Sequence, residues 1–432
     1  MLKKFGFENS YCFRGWVWLD MSAELSDTKV CEDGYPMPKQ DEVHDAVRMR
    51  IEGRKHGVLP VAAIYGKNAS GKTRLLTTLR DVVDDVLDKS FSSELAIPTA
   101  SPFKKIVERR QFGFLSPEKR NNKLRYSICI VVKNKEYTLE YTLTPEGIEE
   151  EELTRRSLKP NARKMIVYKR YGYHFCEKMM KNSNIAGNID LMMASKEKRL
   201  WFSRIAPALP GLKDVYAWFN ALRRWNYETG ANKTAWFEAV AEAVDKIGSF
   251  RTSLLGFLQC LDSSIEDISG TKRSEKYTLE LFHRTFDGGK ESHSIGEESE
   301  GTLKLIEQFP YVFNSLAIGD TPYICDELDK ALHPIAFWQL VRMFNDPKVN
   351  RTNAQLIFTA HDTIALDSNI MRRDEVHIID KNDHATSKIT RLSEMEHVQR
   401  YSNMEYEFRT GYYGSFPDKF NKSFESLVGE GE

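Results

Sequence analysis

Eight consecutive residues could bind phosphate: Gly66-Lys67-Asn68-Ala69-Ser70-Gly71-Lys72-Thr73 matches G-x-x-x-x-G-K-[ST] at every fixed position. Glycines let such a loop wrap tightly, so that successive backbone N–H groups point at phosphate oxygens. The Lys72 ammonium would neutralise the β and γ phosphates, and the Thr73 hydroxyl would ligate Mg²⁺. A chance match is the alternative, but the apolar run before the loop and the helical spacing after it favour phosphate binding. We therefore predict a nucleotide site with contacts from Gly66, Asn68, Ser70, Gly71, Lys72 and Thr73.

Two adjacent acids could serve a metal ion and a water molecule. Asp326 and Glu327 follow the apolar run 323–325, and α/β sheets bind ligands at the carboxyl ends of their strands. We expect Asp326 to hold the Mg²⁺ shell and Glu327 to polarise the attacking water. Many surface strands also end in acids, so this pair is informative only together with the phosphate loop.

Three further residues could contact the phosphates. His361 follows the strand-like run 355–359, where its ring could reach a γ phosphate; a loop histidine without function is the alternative. Ser299 and Gly301 precede a helical segment, and a hydroxyl with free N–H groups at a helix start forms a second anion site. Taken alone, simple capping by Ser299 is the better interpretation.

The elements that must position these residues follow from apolar periodicity. Val61–Tyr65 reads as a short strand, and the apolar residues from Leu75 to Val86 have helical spacing. After about residue 270, short strands alternate with helices, which predicts a parallel sheet covered by helices. The predicted elements of this part are strands at 277–282, 322–325, 355–359 and 376–379, and helices at 302–316, interrupted at Pro310, and 334–344.

Two other regions have different patterns. The runs 125–132 and 136–143 read as strands joined by a tight turn, which predicts an antiparallel sheet beside the nucleotide-binding core. From about 196 to 261 the pattern is helical and rich in aromatic residues, broken by prolines and glycines. No sustained heptads appear there, so we expect a compact helical insertion rather than a coiled-coil arm.

Taken in order, these motifs resemble ABC-type ATPases related to RecF and SMC heads. Within them they resemble the OLD-like single-chain ATPases of bacterial anti-phage and abortive-infection systems, often labelled AAA ATPases. The stretches that carry the likeness are 65–76, 257–270, 298–306, 323–334, 354–367, 371–380 and 409–417. The resemblance implies an α/β fold: an ABC-type ATPase head with a mixed sheet covered by helices, an antiparallel β subdomain and a helical insertion. We place the parts of the head at 1–155 and 265–432, and the insertion at 156–264.

The resemblance also implies roles for single residues. Lys72 and Thr73 would belong to the Walker A motif, and Asp326 and Glu327 would be the Walker B acid and the catalytic base. The signature motif would comprise Ser299 and Gly301, acting on the ATP of a second protomer in a homodimer or higher homo-oligomer. Asp329 would lie in the interface loop and His361 would be the switch histidine. The glutamine loop has no assignment, since Gln111 is only a weak candidate.

Composition limits the function classes. Lys plus Arg equals Asp plus Glu at 62 each, so net charge gives no reason to expect strong non-specific nucleic-acid binding. A local basic face, for instance at Lys104, Lys105, Arg109 and Arg110, is possible, although a solvated charged face is the simpler interpretation. None of the six cysteines forms a CxxC pair, so we do not expect a zinc site. Without a signal peptide or a long apolar stretch, we expect a soluble, cytoplasmic protein without membrane contact.

Three functions fit these observations. The first is a defence ATPase that controls a separate effector such as a Toprim-like nuclease. OLD-type nucleases carry that domain after the ATPase, whereas residues 362–432 are fewer than a typical domain needs, and we read 380–383 as a turn. The second is a RecF- or SMC-like ATPase of DNA repair or maintenance, which would bind DNA. The third is a scaffold that binds ATP without turning it over, and Glu327 argues against it.

Overall fold

The computed structural model describes residues 1–23, 57–90, 102–111, 123–159, 161–175, 198–227, 233–259, 262–273, 275–319, 321–367, 371–382, 384–395 and 403–413. The strands in chain order are β1 (Leu2–Glu8), β2 (Val17–Asp20), β3 (Val61–Gly66), β4 (Leu124–Val132), β5 (Lys135–Thr144), β6 (Gly147–Ser157), β7 (Met165–Tyr171), β8 (His174–Phe175), β9 (Ile265–Arg273), β10 (Lys276–Arg284), β11 (Lys290–Ser294), β12 (Pro322–Cys325), β13 (Gln355–Thr359), β14 (Val376–Lys381) and β15 (Ser387–Arg391). The helices are α1 (Lys72–Val86), α2 (Pro102–Arg110), α3 (Trp201–Ile205), α4 (Lys213–Tyr227), α5 (Lys233–Lys246), α6 (Gly248–Gln259), α7 (Glu300–Ile318), α8 (Pro334–Asn345) and α9 (Met404–Arg409).

A five-stranded sheet in the order β12-β13-β3-β14-β15 carries the predicted site. The first four strands are parallel and β15 runs antiparallel to β14. Every residue of β3 is buried, as expected for a strand covered on both faces. Ala62 and Ile64 contribute to the core that contains α1, whereas Val61, Ala63 and Tyr65 contribute to the core that contains α7 and α8. The carboxyl ends of four strands therefore open on one edge between these helices.

The remaining strands of the described residues form two antiparallel sheets. The larger has the order β2-β1-β4-β5-β6-β7-β8, and the smaller has the order β11-β10-β9. Helix α5 packs on the smaller sheet so closely that a Cβ atom at Gly270 would lie 2.0 Å from the carbonyl oxygen of Ala241. Glycine is needed at this position of β9 because any side chain would push the helix away.

The predicted fold class is confirmed: the protein is α/β, with a mixed sheet covered by helices, a separate antiparallel sheet and a helical region. Helices α3 to α6 occupy the stretch from 196 to 261 that was predicted to be helical. The start of the proposed insertion, 156–264, differs, because β7 and β8 extend the seven-stranded sheet there. The domain boundaries themselves stay predictions.

Two local predictions need correction. Helix α7 was expected to be interrupted at Pro310 but runs unbroken from Glu300 to Ile318. Proline removes one helical hydrogen bond, yet Pro310 is buried among core residues, and this packing holds the helix together. Segment 380–383 was predicted as a turn, but Asp380 and Lys381 end β14 and the turn starts at Asn382. Residue 383 and the tail match beyond 413 lie outside the described residues.

Candidate functional site

The loop between β3 and α1 has a backbone that requires glycine at both ends. Gly66 has φ +152° and Gly71 has φ +116°, values that side chains strongly disfavour. A Cβ atom at Gly66 would lie 2.2 Å from the Ile379 carbonyl oxygen of β14, and one at Gly71 would lie 2.7 Å from Cys12 Sγ. The loop is therefore wrapped tightly against the sheet edge. No side chain caps the start of α1, which leaves its first N–H groups directed outward as anion donors.

Lys72 closes this loop on itself. Its Nζ donates to the carbonyl oxygens of Gly66 at 2.7 Å and Lys67 at 3.2 Å. Burial lowers the pKa of Lys72 below its usual value. The carboxylates of Asp326, Asp329 and Glu327 favour the charged ammonium and offset part of this shift. The ammonium thus lies between the loop and the acids, within reach of any phosphate that the loop holds.

The acid pair at the end of β12 is held by a threonine of the neighbouring strand. Thr359 Oγ1 donates to Asp326 Oδ1 at 2.5 Å and accepts from the Glu327 backbone N–H at 2.8 Å. Thr359 is fully buried, and the parallel register of β12 and β13 brings it beside the acids. Glu327 has φ +52°, a conformation that costs a non-glycine residue about 1–3 kcal/mol and is typical of functional sites. The threonine hydroxyl therefore fixes both acids in place.

The Glu327 carboxylate is ionised and partly open to solvent. Its Oε2 forms an ion pair with Lys330 Nζ at 3.0 Å. The hydrogen bond from Lys330 is the main reason why the pKa of Glu327 is lowered, with smaller contributions from His361 and Lys72. A carboxylate in this state can accept a proton from water.

His361 is positioned by the loop that follows the acid pair. Asp329 Oδ2 accepts from the backbone N–H groups of His361 at 2.9 Å and Asp362 at 2.7 Å. On the other side, Tyr65 of β3 donates its hydroxyl to the Asp362 carbonyl oxygen at 3.1 Å. The imidazole of His361 remains exposed. These contacts tie together the ends of three parallel strands, so that the histidine faces the same space as the acids.

One open cleft of about 830 Å³ brings most of the predicted residues together. Its lining includes the loop 68–73, both acids and His361, together with Cys12, Arg74 and Lys381. Gly66 lies beneath the loop, where its carbonyl oxygen accepts a hydrogen bond from Lys72 Nζ. A volume of this size is that of a small-molecule site. The phosphate loop, the acid pair and His361 therefore converge, although they come from three separate stretches of chain.

Ser299 and Gly301 are not among the residues that line this cleft in the described part of the chain. Ser299 caps α7, accepting from the Thr302 N–H at 3.1 Å, so the capping interpretation holds. Gly301 lies against the loop after the acids, since a Cβ atom there would be 3.1 Å from the Ala331 carbonyl oxygen. Within one chain, therefore, these two residues contact the neighbouring loop rather than the cleft.

The cleft suits a triphosphate with Mg²⁺ on two grounds. Ser70 Oγ is buried and has no hydrogen-bond partner among the described residues, which is unusual unless a ligand supplies one. Thr73 and Asp326 place a hydroxyl and a carboxylate in the same cleft, the hard oxygen ligands that Mg²⁺ prefers. Both observations fit the predicted cofactors, ATP and Mg²⁺.

Several contributors were missed at the sequence level. Thr359 bridges the acids, Lys381 Nζ donates to the Ala69 carbonyl oxygen at 3.4 Å, and Ser387 donates its hydroxyl to the Ser70 carbonyl oxygen. Of these, only Thr359 had a signal, because pairing two parallel strands, one followed by Asp326 and the other ending in Thr359, places these residues side by side. Gln111 is buried, donates to the Asn9 carbonyl oxygen at 3.4 Å and does not line the cleft.

Comparisons with known proteins give little beyond distant structural likeness. No protein-family model matches the sequence, and no curated protein matches it. The structure is similar to an SMC head domain from Thermotoga maritima, with 12% identity, coverage of 90% of this chain and 98% of that one, and a TM-score of 0.42. It is similar to an Smc head bound to the C-terminal winged-helix domain of ScpA, with 11% identity, coverage of 90% and 96%, and a TM-score of 0.43. Because both TM-scores are below 0.5, we infer nothing about function from them.

The length and apolar character of the helices also bear on membrane insertion. Among the residues described, none of the helices combines the length and apolar character that crossing a bilayer requires.

Proposed function

We propose that this protein binds and hydrolyses ATP as an ABC-type ATPase. The observation that carries the proposal is the convergence of the loop residues 68–73, the acids Asp326 and Glu327, and His361 on one cleft. Structural coincidence explains it poorly, because the cleft contains a cation, an orphaned hydroxyl, an ionised carboxylate and free helix N–H groups. These are the groups that phosphoryl transfer needs.

Each residue has a defined task in the proposed reaction. Lys72 would exchange its bonds to loop carbonyls for bonds to the β and γ phosphate oxygens, while the N–H groups of the loop hold the phosphate chain. Thr73 and Asp326 would hold Mg²⁺, which neutralises the charge of the phosphates when bound. Glu327 would orient a water molecule and accept its proton as the water oxygen bonds to the γ phosphorus and the bond to the ADP oxygen breaks. His361 would donate to the γ phosphate.

The site requires a second copy of the chain. Ser299 and Gly301 would supply a hydroxyl and helix N–H groups to the γ phosphate bound by the partner protomer, and they do not line the cleft of their own chain. Gly301 already lies beside the loop 329–333, so both would approach the partner together. We therefore propose a homodimer that encloses ATP between two faces.

Glu327→Gln tests the proposal. The amide keeps the shape of the side chain but cannot take a proton, so ATP should still bind while turnover falls by about 10²- to 10⁴-fold. ATP-bound dimers should accumulate, as seen by light scattering after size exclusion. Glu146→Gln, an exposed residue of the β5–β6 turn, is the matched control and should turn over ATP at the wild-type rate.

The same experiment separates hydrolysis from scaffolding. Equal, very low turnover in the wild type and in Glu327→Gln would leave only an ATP-binding scaffold. Failure of the wild type to bind ATP in equilibrium dialysis would reject the proposal altogether.

As a narrower proposal, the ATPase is the regulatory subunit of an anti-phage system and controls a separate effector of the Toprim-like nuclease class. The order of its motifs supports this proposal. Protection of cells from phage should be lost with Lys72→Ala, and the protein should co-purify with the effector encoded beside it. Unchanged protection in the Lys72→Ala strain would reject this role.

The alternative, a RecF- or SMC-like ATPase that acts on DNA, is less favoured by charge. Net charge is zero, and Arg110 of the candidate basic cluster is fully buried and paired with Asp85 at 2.7 Å, so it offers nothing to a DNA backbone. ATP turnover measured with and without duplex or single-stranded DNA distinguishes the two. Strong stimulation by DNA would favour the alternative.

A further inference from the structure

Three metal-ligating side chains meet beside the start of α7. His283 of β10 and His293 of β11 stack at 4.6 Å between ring centroids, and both face Glu298. His283 Nε2 lies 2.9 Å and His293 Nδ1 lies 4.0 Å from the same oxygen, Glu298 Oε1. All three donor atoms lie within 4.8 Å of one another. The register of β10 and β11 pairs Leu281 with His293, so the two histidines are diagonal neighbours on one face of the sheet.

The donor set and its dimensions suit a divalent ion of the zinc class. Two imidazoles and one carboxylate form a recognised zinc ligand set that leaves one position for water. Tetrahedral zinc with ligands at about 2.0–2.2 Å separates the donor atoms by roughly 3.4 Å, and the observed 2.9 and 4.0 Å bracket that value. Small rotations of the side chains would therefore complete the set. His293 is 36% exposed, which leaves room for the water on that side.

The surroundings of the cluster also favour a cation. The Glu298 side chain is only 3% exposed, and a buried carboxylate needs a positive partner. Ser264 Oγ lies 3.0 Å from His283 Nδ1. With the proton on Nδ1, His283 would donate to Ser264 and present its Nε2 lone pair to a cation beside Glu298. Such an outer hydrogen bond is what orients a histidine ligand in metal sites.

We propose that His283, His293 and Glu298 bind one Zn²⁺ ion, which attaches the β10–β11 hairpin to the segment entering α7. Glu298 directly precedes Ser299, the cap of that helix. The ion would hold the backbone at Ser299 in one place. This consequence rests on the proposed function, in which Ser299 contacts the ATP of the partner. The metal site itself does not depend on it.

Metal content of the untagged, full-length protein tests the site without nucleotide. After chelation, the protein is dialysed against a series of Zn²⁺ concentrations up to saturation, with excess Mg²⁺ to occupy Asp326, and zinc is counted by atomic emission. His293→Ala and Glu298→Gln should each bind one equivalent less than the wild type at concentrations that saturate it, with affinity lower by at least about 100-fold. His174→Ala, an exposed histidine of β8 in the other sheet, is the matched control and should bind as the wild type does.

Two independent readouts complete the test. Co²⁺ in place of Zn²⁺ should give the visible absorption of a four-coordinate site in the wild type and lose it in His293→Ala, while near-ultraviolet circular dichroism shows that the variant is folded. Zn²⁺ should raise the melting temperature of the wild type but not of His293→Ala. Equal zinc content and equal spectra in all variants would overturn the proposal and leave a histidine–glutamate hydrogen bond.

A second arm measures ATP-dependent dimerisation of Glu327→Gln with and without Zn²⁺. Zinc should strengthen dimerisation in that background and have no effect once His293→Ala is added. Zinc binding without ATP binding would reject the proposed function and keep the metal site. ATP binding together with equal zinc content in the wild type and the variants would keep the proposed function and reject the metal site.

Discussion

At the scale of single residues, a buried hydroxyl governs the geometry of both acids. Thr359 is the partner of the Asp326 carboxylate and of the Glu327 N–H, and it has no exposed surface. Because Glu327 has left-handed backbone angles, its side-chain direction depends on that N–H bond. In the proposed reaction, Thr359 is thus a positioning residue that acts through the acids rather than on the substrate.

Thr359→Val removes this hydroxyl at nearly constant volume. It leaves a part-buried N–H and a carboxylate oxygen without their partner, at a cost of about 1 kcal/mol of stability. We expect kcat for ATP hydrolysis to fall by at least about 10-fold, because misplaced catalytic groups are costly, with little change in KM. Thr359→Ser, which keeps the hydroxyl, should recover most of the activity. Equal kcat in the valine and serine variants would show that the bridge has no catalytic consequence.

At the scale of elements, the loops that follow β12 and β13 behave as one unit. Asp329 in the first loop accepts two backbone N–H groups from the second, and Leu328 donates its N–H to the Thr359 carbonyl oxygen at 3.0 Å. The acids and His361 are therefore held relative to each other by contacts between loops, in addition to the strand pairing.

Asp329→Ala breaks this link and should lower ATP turnover by about 10-fold or more, since His361 loses its anchor. Asp329→Asn retains an oxygen that accepts both N–H groups and should keep most of the activity. Turnover and melting temperature of the two variants are compared side by side. Similar losses in both would mean that the negative charge, which also acts on Lys72, matters more than the anchor.

Strand β14 and the turn before it give the sheet a pH dependence. Burial raises the pKa of the Glu375 carboxyl from 4.5 to about 8, and burial lowers the pKa of His377 from 6.5 to about 4. The folded state thus keeps Glu375 protonated where the unfolded chain has lost the proton. Its contribution to stability is fully present below about pH 4.5 and is lost as pH rises towards 8.

Glu375→Gln should remove that part of the pH dependence. The amide oxygen can accept from the Arg372 N–H and from Asn345 Nδ2, as Glu375 Oε2 does at 2.8 and 3.2 Å. Relative to wild type, the variant should therefore gain stability between pH 5 and pH 8, measured as the difference in urea midpoints at the two values. His377 contributes equally to both proteins and cancels in this comparison. Parallel midpoints across that range would contradict the role assigned to Glu375.

At the scale of the whole molecule, the proposed dimer divides each catalytic site between two chains. One protomer would supply Lys72 and Glu327, and its partner would supply Ser299. The separation of Ser299 from its own cleft makes this division testable by mixing variants.

Lys72→Ala and Ser299→Arg should each be inactive alone, whereas an equal mixture should recover roughly a quarter of wild-type turnover. Half of the dimers are then mixed, and each mixed dimer has one intact site of two. The monomers are combined before ATP is added, and phosphate release is measured. A mixture of Lys72→Ala with Glu327→Gln is the matched control, because both changes lie in the same half of a site and no dimer is intact. No recovery in the test mixture would exclude a shared site, and recovery in the control would contradict the assignment of Lys72 and Glu327 to the same half.

The amino-acid sequence by itself determined which contiguous motifs could carry the proposed chemistry. The phosphate loop, the acid pair and His361 were predicted because each lies at the end of a short apolar strand, and local periodicity records such strands. The parallel, helix-covered sheet and the compact helical region were predicted for the same reason, whereas the mixed character of the sheet was implied by the resemblance.

Only the tertiary structure decided which distant residues meet. Thr359 beside Asp326, Arg110 buried against Asp85, and the two histidines beside Glu298 all depend on strand register or on packing between elements. Burial of Pro310 likewise kept α7 continuous against its local propensity. Periodicity tells which face of an element is apolar, but it does not tell which partner that face meets, since pairing is a property of the folded whole.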